Sequence, residues 1–475
     1  MTTESLVDQP AVVTAGQLRA GTISAREVVH AHLARIDEVD AAVNAVVTRT
    51  PELALDRARE LDDHRSRTGT TVGSLHGLPI VHKDLLLTAG VRTTFGSPGF
   101  ADFVPTVDDP LVVRLRNAGS VMVGKSNTPE LGAGSHTFNP VFGLTRNPWD
   151  PTRSCGGSSG GAAVAVACGM AALADGSDLG GSLRNPPGFC GVVGLRPSIG
   201  RVPGTGPMAT RARLGVEGPI ARTVADVALL LGAMAGPHPA APTALADPGI
   251  DFLPPLEPLD GAVRVAFSID LGDLAVDAQV RAAVEGLVPT LEHLGWSVRD
   301  GHPDLDGADR AFEVIRSWYS ASRQRAFTEA QRAAVKDVIK AERAKGEALT
   351  AMELSAAFAT ETRLVRAAVR FFADVDLFIC PVTQVPAFPA DQEWVTEIDG
   401  RTMSSYIEWM RVCSRITVLG VPALSLPVGF TPDGLPIGVQ IVGPHGADRR
   451  VLRAGAMVEA ALGLPRRPPL EALRR

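Results

Sequence analysis

The chain has 475 residues, 45% of them hydrophobic and 21% charged, which supplies a large core and excludes an intrinsically disordered chain. Its 46 basic and 52 acidic residues are interspersed and sum to −6, so no basic footprint is present for nucleic acid or an anionic membrane surface. The N-terminal MTTESLVDQP lacks the basic and apolar regions of a secretory signal, and the longest small-apolar run, Ala162 to Ala174, is too short for a bilayer. Five cysteines (Cys155, Cys168, Cys190, Cys380 and Cys413) without CxxC spacing read as reduced thiols. The expectation is a soluble cytoplasmic protein without nucleic-acid or membrane partners.

In chain order, Thr14 to Val47 carries apolar residues at helical spacing, with Ser24 placed to cap the longer helix, and Thr50 to Thr70 is a second amphipathic helix. The pattern then changes. Leu78 to Val81 is a short strand leading to Lys83, and Val112 to Ala118 is a helix feeding the strand Ser120 to Gly124. Past the serine-rich centre of the chain, Arg222 to Met234 reads as a helix and the Pro- and Ala-rich Gly236 to Pro258 as a surface crossing. Val263 to Ser268 is a strand, Asp277 to Leu294 a helix and Trp296 to Val298 another strand. Residues 307 to 375 are almost wholly helical and placed to cover a site; Asp376 to Pro381 and Ala423 to Val428 are strands, and Ala447 to Leu462 closes the chain as a helix. Alternation of this kind predicts an α/β architecture.

The organising stretch is Ser154 to Gly191. Gly156, Gly157, Gly160 and Gly161 bracket Ser158 and Ser159, and a second run, Gly180-Gly181-Ser182, follows Asp178 and Leu179. Both loops offer close backbone approach, bare N–H groups and a hydroxyl. Between them, Gly161 to Met170 is small and apolar, which fits a buried helix of roughly 15 Å. Residues 171 to 182, extended at roughly 3.3 Å each, cover more than that distance, so Ser182 can return to Ser158.

With GGSSGG followed by DLGGSLR, the chain resembles the amidase signature family. The likeness extends to GLPIVHKDLLLTAGVRTTFGS, AGSVMVGKSNTPE and NPVFGLTRNPWD upstream, and to GVVGLRPSIGRVP, GPIARTVADVALLL, GVPALSLPVGF and GLPIGVQIVG downstream. It covers roughly Gln17 to Leu462, more loosely between about 237 and 375. The resemblance implies an α/β fold with a large twisted mixed β-sheet covered on both faces by helices. It also implies a single domain over 1–475, with a helical wrapper at about 10–70, a signature core at about 71–235 and a variable helical segment at about 300–375 that covers the substrate.

It further implies amide C–N hydrolysis through a seryl acyl-enzyme without a cofactor or metal. Ser182 would attack, Ser158 would relay the proton and Lys83 would accept it, a serine–lysine solution to the triad problem. The Gly157–Ser158 peptide would be cis, and the N–H groups of Leu179, Gly180, Gly181 and Ser182 would form the oxyanion hole. Lys83 must then be neutral, which its apolar neighbours favour; Asp84 would oppose it unless its carboxylate turns away, so that side chain is expected to face backbone donors. Asp178 and Arg184 would hold the loop by charge-assisted bonds. Ser159 is either a helix cap or a hydrogen-bond support for the reacting groups.

Plainer readings compete. A lone lysine is usually a solvated charge, and loop serines are usually turn or cap residues; their joint order with the flanking motifs favours chemistry. His82 and His136 read as bystanders and Trp149 as packing. Gly156-x-Ser158-x-Gly160 also fits a nucleophile elbow that would use a histidine such as His445, but the Pro-broken NPWDPTRSC before it is no buried strand. There is no GK[ST] phosphate loop, GxGxxG after a strand, or HExxH.

The expected substrate is a small amide, with Phe138, Val141, Phe142, Phe189 and Met208 suggesting a hydrophobic acyl or aryl group. Carbamates (urethanes) and esters are candidates too, and the loop Gly204 to Gly218 is expected to admit bulky ones. Thr417 and Pro187 depart from the residues common in relatives and are expected to reshape the pocket. The rival classes are a glutaminase subunit of a tRNA-dependent amidotransferase and a non-catalytic scaffold. The sequence leaves a homodimer open.

Overall fold

The protein is described from a computed structural model that covers residues 3–206, 210–211, 213–465 and 467–473. Met208 lies outside the described residues, as does part of the loop expected at Gly204 to Gly218.

An 11-stranded mixed sheet forms the centre. Its strands are β1 (Val46–Arg49), β2 (Pro79–Lys83), β3 (Val121–Ser126), β4 (Leu173–Asp178), β5 (Val193–Arg196), β6 (Val216–Ala221), β7 (Arg264–Phe267), β8 (Ser297–Asp300), β9 (Leu377–Pro381), β10 (Ala423–Phe430) and β11 (Pro436–Val442). Across the sheet the order is β1-β3-β2-β4-β6-β5-β10-β11-β9-β7-β8. The β3-β2-β4 and β9-β7-β8 runs are parallel, and the strands between β4 and β9 are antiparallel. All five residues of β2 and of β9 are buried, as expected of parallel strands covered on both sides.

Helices cover this sheet as the periodicity predicts. Ala25–Val43 begins at Ser24, whose side chain accepts from Glu27 N while Glu27 reaches back, a capping box. The eight residues of Gly160–Ala167 are all buried, which their small side chains permit. Residues 307 to 375 form four helices, Ala308–Gln324, Glu329–Ala334, Asp337–Ala348 and Ala351–Asp374. Phe312, Ile315, Leu364 and Ala368 bury one stripe of this layer against Phe378 of β9.

Two expectations change. The single helix over Asp277 to Leu294 divides into Ala278–Glu285 and Val288–His293, because Pro289 has no N–H to continue the ladder and is tolerated only in a first turn. The end of the supposed loop Gly204 to Gly218 is strand: Val216, Glu217 and Gly218 pair with Asp178, Ser177 and Gly176 of β4. Among the described residues no helix is long and apolar enough to cross a membrane.

Candidate active site

The sheet order brings Lys83, at the end of β2, beside Ser177 and Asp178 at the end of β4. Lys83 is 1% exposed, and its Nζ donates to Ser158 Oγ (2.7 Å), Ser159 Oγ (2.9 Å) and Ser177 Oγ (3.1 Å). Burial pulls its pKa from 10.5 down to about 7, against the opposing pull of Asp178, Asp175 and Glu217. Asp84 turns away, as expected: its carboxylate accepts from Thr94 N (3.1 Å) and from the Thr94 hydroxyl. Ser159 makes no side-chain cap to the helix that follows it, so of the two readings the hydrogen bond to the lysine is the one formed.

Ser158 and Ser182 join Lys83 in lining one cavity of about 350 Å³. The Gly157–Ser158 peptide is cis. Among the described residues the Ser182 hydroxyl has no hydrogen-bond partner, so it is open to whatever enters. Gly181 has φ +143°, and a Cβ there would stand 2.8 Å from Cys413 Cβ, so only glycine fits this turn. Gly161 is equally constrained, its would-be Cβ lying 2.3 Å from the backbone nitrogen of Asn127.

Asp178 shapes the second loop. It accepts from Gly181 N (2.9 Å) and Leu183 N (3.0 Å) and pairs with Arg184 (2.9 Å) and Arg196 (3.1 Å), all three side chains fully buried. Burial alone would raise its pKa, but the two guanidiniums outweigh it and hold the carboxyl well below the usual range. One expectation is corrected here: the Gly181 N–H is engaged by Asp178. Among the described residues, those of Leu179, Gly180 and Ser182 have no acceptor.

The supposed bystanders are satisfied elsewhere. The His82 ring contacts Asp175, and His136 is held by Ser154 Oγ (2.7 Å) and Ala390 O (3.0 Å). Trp149 packs on Phe430 and donates to Cys190 O (2.8 Å). His445 bonds Ile199 O and does not line the cavity with Ser158, which removes the elbow reading's histidine.

The substrate-facing residues need correction. Phe138, Val141, Phe142 and Phe189 do not line the cavity. Phe189 is stacked on Trp409 (interplanar angle 4°), Phe138 packs against His136, and Phe142 lies under Arg92. The apolar lining instead includes Leu85, Leu86, Leu131, Leu179, Phe327 and Ile339. Thr417 and Pro187 do not line it either: Thr417 accepts from Arg184 (2.7 Å), and Pro187 packs where a Cβ on Gly194 would meet it at 2.5 Å.

Sequence reasoning missed Ser177, Glu217, Arg196 and Lys125. A polar run, Asp175-Gly176-Ser177-Asp178, ending an otherwise apolar strand was the available signal for Ser177. Lys125 is buried, and its Nζ donates to Leu86 O and to Thr88 Oγ1 (2.9 Å), which ties down the segment after Lys83.

The amidase family model matches residues 27–452. The chain belongs to the amidase signature family. It is 33% identical over 476 residues to an acylamidase of Rhodococcus erythropolis, covering 100% of this chain and 99% of that one. The glutamyl-tRNA(Gln) amidotransferase A subunit of Thermosynechococcus vestitus is 36% identical over 457 residues, covering 88% of this chain and 91% of that protein. Among solved structures, 6-aminohexanoate cyclic dimer hydrolase superposes with a TM-score of 0.88 at 29% identity, covering 98% of this chain and 99% of the other. As a member of the amidase signature family the protein is an amide hydrolase with an α/β fold.

Proposed function

We propose that this amidase is a serine hydrolase of small amides with a hydrophobic or aryl part, and that carbamates (urethanes) and esters fall within its reach. Ser182 attacks the carbonyl carbon and passes its proton through Ser158 to the neutral amine of Lys83. The amine returns that proton to the leaving nitrogen as the acyl-enzyme forms, and water then releases the acid by the same route. The oxyanion is taken by the N–H groups of Leu179, Gly180 and Ser182, a donor of this kind being worth about 3 to 4 kcal/mol in the transition state.

The observation that carries this reading is the buried Lys83 Nζ at 2.7 Å from Ser158 Oγ, in the same cavity as the Ser182 hydroxyl, which bonds no described residue. An amine with a pKa near 7 accepts a proton only when unprotonated, so kcat/KM is expected to be low in acid, rise through about pH 7 and level off above it. A flat profile between mildly acid and alkaline conditions would refute the assignment.

The likeness to the glutamyl-tRNA(Gln) amidotransferase A subunit favours a second reading, a glutaminase that works only beside a partner. The purified chain separates the two. Hydrolysis of a simple anilide without added protein or ATP supports the stand-alone amidase, and glutaminase activity that appears only with a partner supports the second reading.

A further inference from the structure

Three carboxylates surround Lys83 on β4 and β6, and two of them are already engaged. Asp175 accepts from Lys83 N (2.9 Å) and contacts His82, while Asp178 is held by Arg184 and Arg196. Glu217 differs. It stands opposite Ser177 in the antiparallel β4–β6 pair, and directly opposed residues share a sheet face with Cβ atoms about 4.5–5.5 Å apart. Ser177 Oγ is itself a partner of Lys83 Nζ at 3.1 Å. Glu217 therefore points to the lysine's side of the sheet, and it lines the same cavity as Lys83, Ser158 and Ser182. Among the described residues its carboxyl makes no hydrogen bond or ion pair to another side chain.

We propose that Glu217 is a positioning residue that sets the protonation state of Lys83: its carboxylate form holds the lysine as ammonium, and its acid form leaves the lysine as the free amine that takes the serine proton. The carboxyl acts on the lysine through its charge across the cavity rather than through a direct bond. The inference rests on the role given to Lys83 above.

The charges around the pair agree with this. Lys83 also faces Asp175, Asp178 and, from the helix Ala308–Gln324, Arg323; Glu217 faces Asp109, which caps the helix Pro110–Asn117, and Asp175. Burial raises the Glu217 pKa to about 7, helped by Asp109 and Asp175, and burial lowers that of Lys83 to about 7.

The test is the acid limb of kcat/KM in wild type, Glu217→Gln, Glu217→Asp and Lys83→Met. It is read with an anilide and, independently of substrate binding, by the rate at which a fluorophosphonate labels Ser182. Removing the negative charge lowers the lysine's pKa, so Glu217→Gln should move the limb toward acid by up to about one unit. Glu217→Asp should restore it. A limb that stays in place or moves toward alkali in Glu217→Gln, with Lys83→Met inactive, overturns this inference alone. Turnover retained in Lys83→Met overturns the lysine's role and the inference together. Should Glu217→Gln fold poorly, an unmoved limb in Glu217→Ala overturns the proposal equally.

Discussion

The two sides of the cavity are built on opposite principles. The wall formed by β2, β4 and the two glycine-serine loops is largely buried and, apart from the Ser182 hydroxyl, its polar side chains are engaged with one another, so most of them fix several others. The cover formed by the helices after Ala308 is amphipathic, with Tyr319, Ser320, Arg323, Gln324 and Phe327 facing the cavity and exposed charge on the outside. Under the proposed function the difference would separate chemistry from selection: a change in the wall disturbs a network, whereas a change in the cover would alter one contact with substrate.

The comparison is broken most directly at the wall. Ser182→Ala and Lys83→Met should each lower kcat by about a thousandfold or more, measured on an anilide. The melting temperature of Ser182→Ala should not change, since that hydroxyl bonds no described residue. Asp178→Asn leaves Arg184 and Arg196 buried without their counter-charge, and removing one partner of a buried pair costs about 3–5 kcal/mol, so stability and activity should fall together in a denaturant titration. Loss of activity with unchanged stability would show that the carboxylate does not organise the loop.

Smaller effects sharpen the contrast. Gly161→Ala forces a methyl toward the backbone of Asn127, and overpacking of this kind costs about 1–3 kcal/mol, read as a lowered midpoint of unfolding. On the cover, Phe327→Ala should reduce kcat/KM for aryl amides by about tenfold, mainly through KM, and leave small aliphatic amides nearly untouched. Equal losses for both substrates would mean that the cover also shapes the reacting centre. Arg363→Ala, which breaks an exposed pair with Asp304 (2.8 Å), should change stability by less than about 1 kcal/mol.

Much of the wall was legible because its signals are local. The glycines around Ser158 and before Ser182, the apolar segment around Lys83 and the cap at Ser24 each sit within a few residues of what they act on. The turn of Asp84 away from Lys83 was legible too, since its partner Thr94 lies in the adjoining segment. The cover was read as helices placed over a site, but its lining side chains were not: Phe138, Phe142 and Phe189 looked near the site in sequence, yet their rings pack on Lys336, Arg92 and Trp409.

The sequence by itself determined the helices, the α/β class and the two serine loops, because spacing, caps and glycine placement act over short stretches of chain, and its resemblance to the amidase signature family singled out the lysine. Only the tertiary structure decided that Ser177 and Glu217 stand opposite each other beside Lys83, that Arg196 shares Asp178 with Arg184, and that Asp178 claims the Gly181 amide. Those pairings follow from strand order and register, which set residues far apart in the chain side by side and carry no periodic signature of their own.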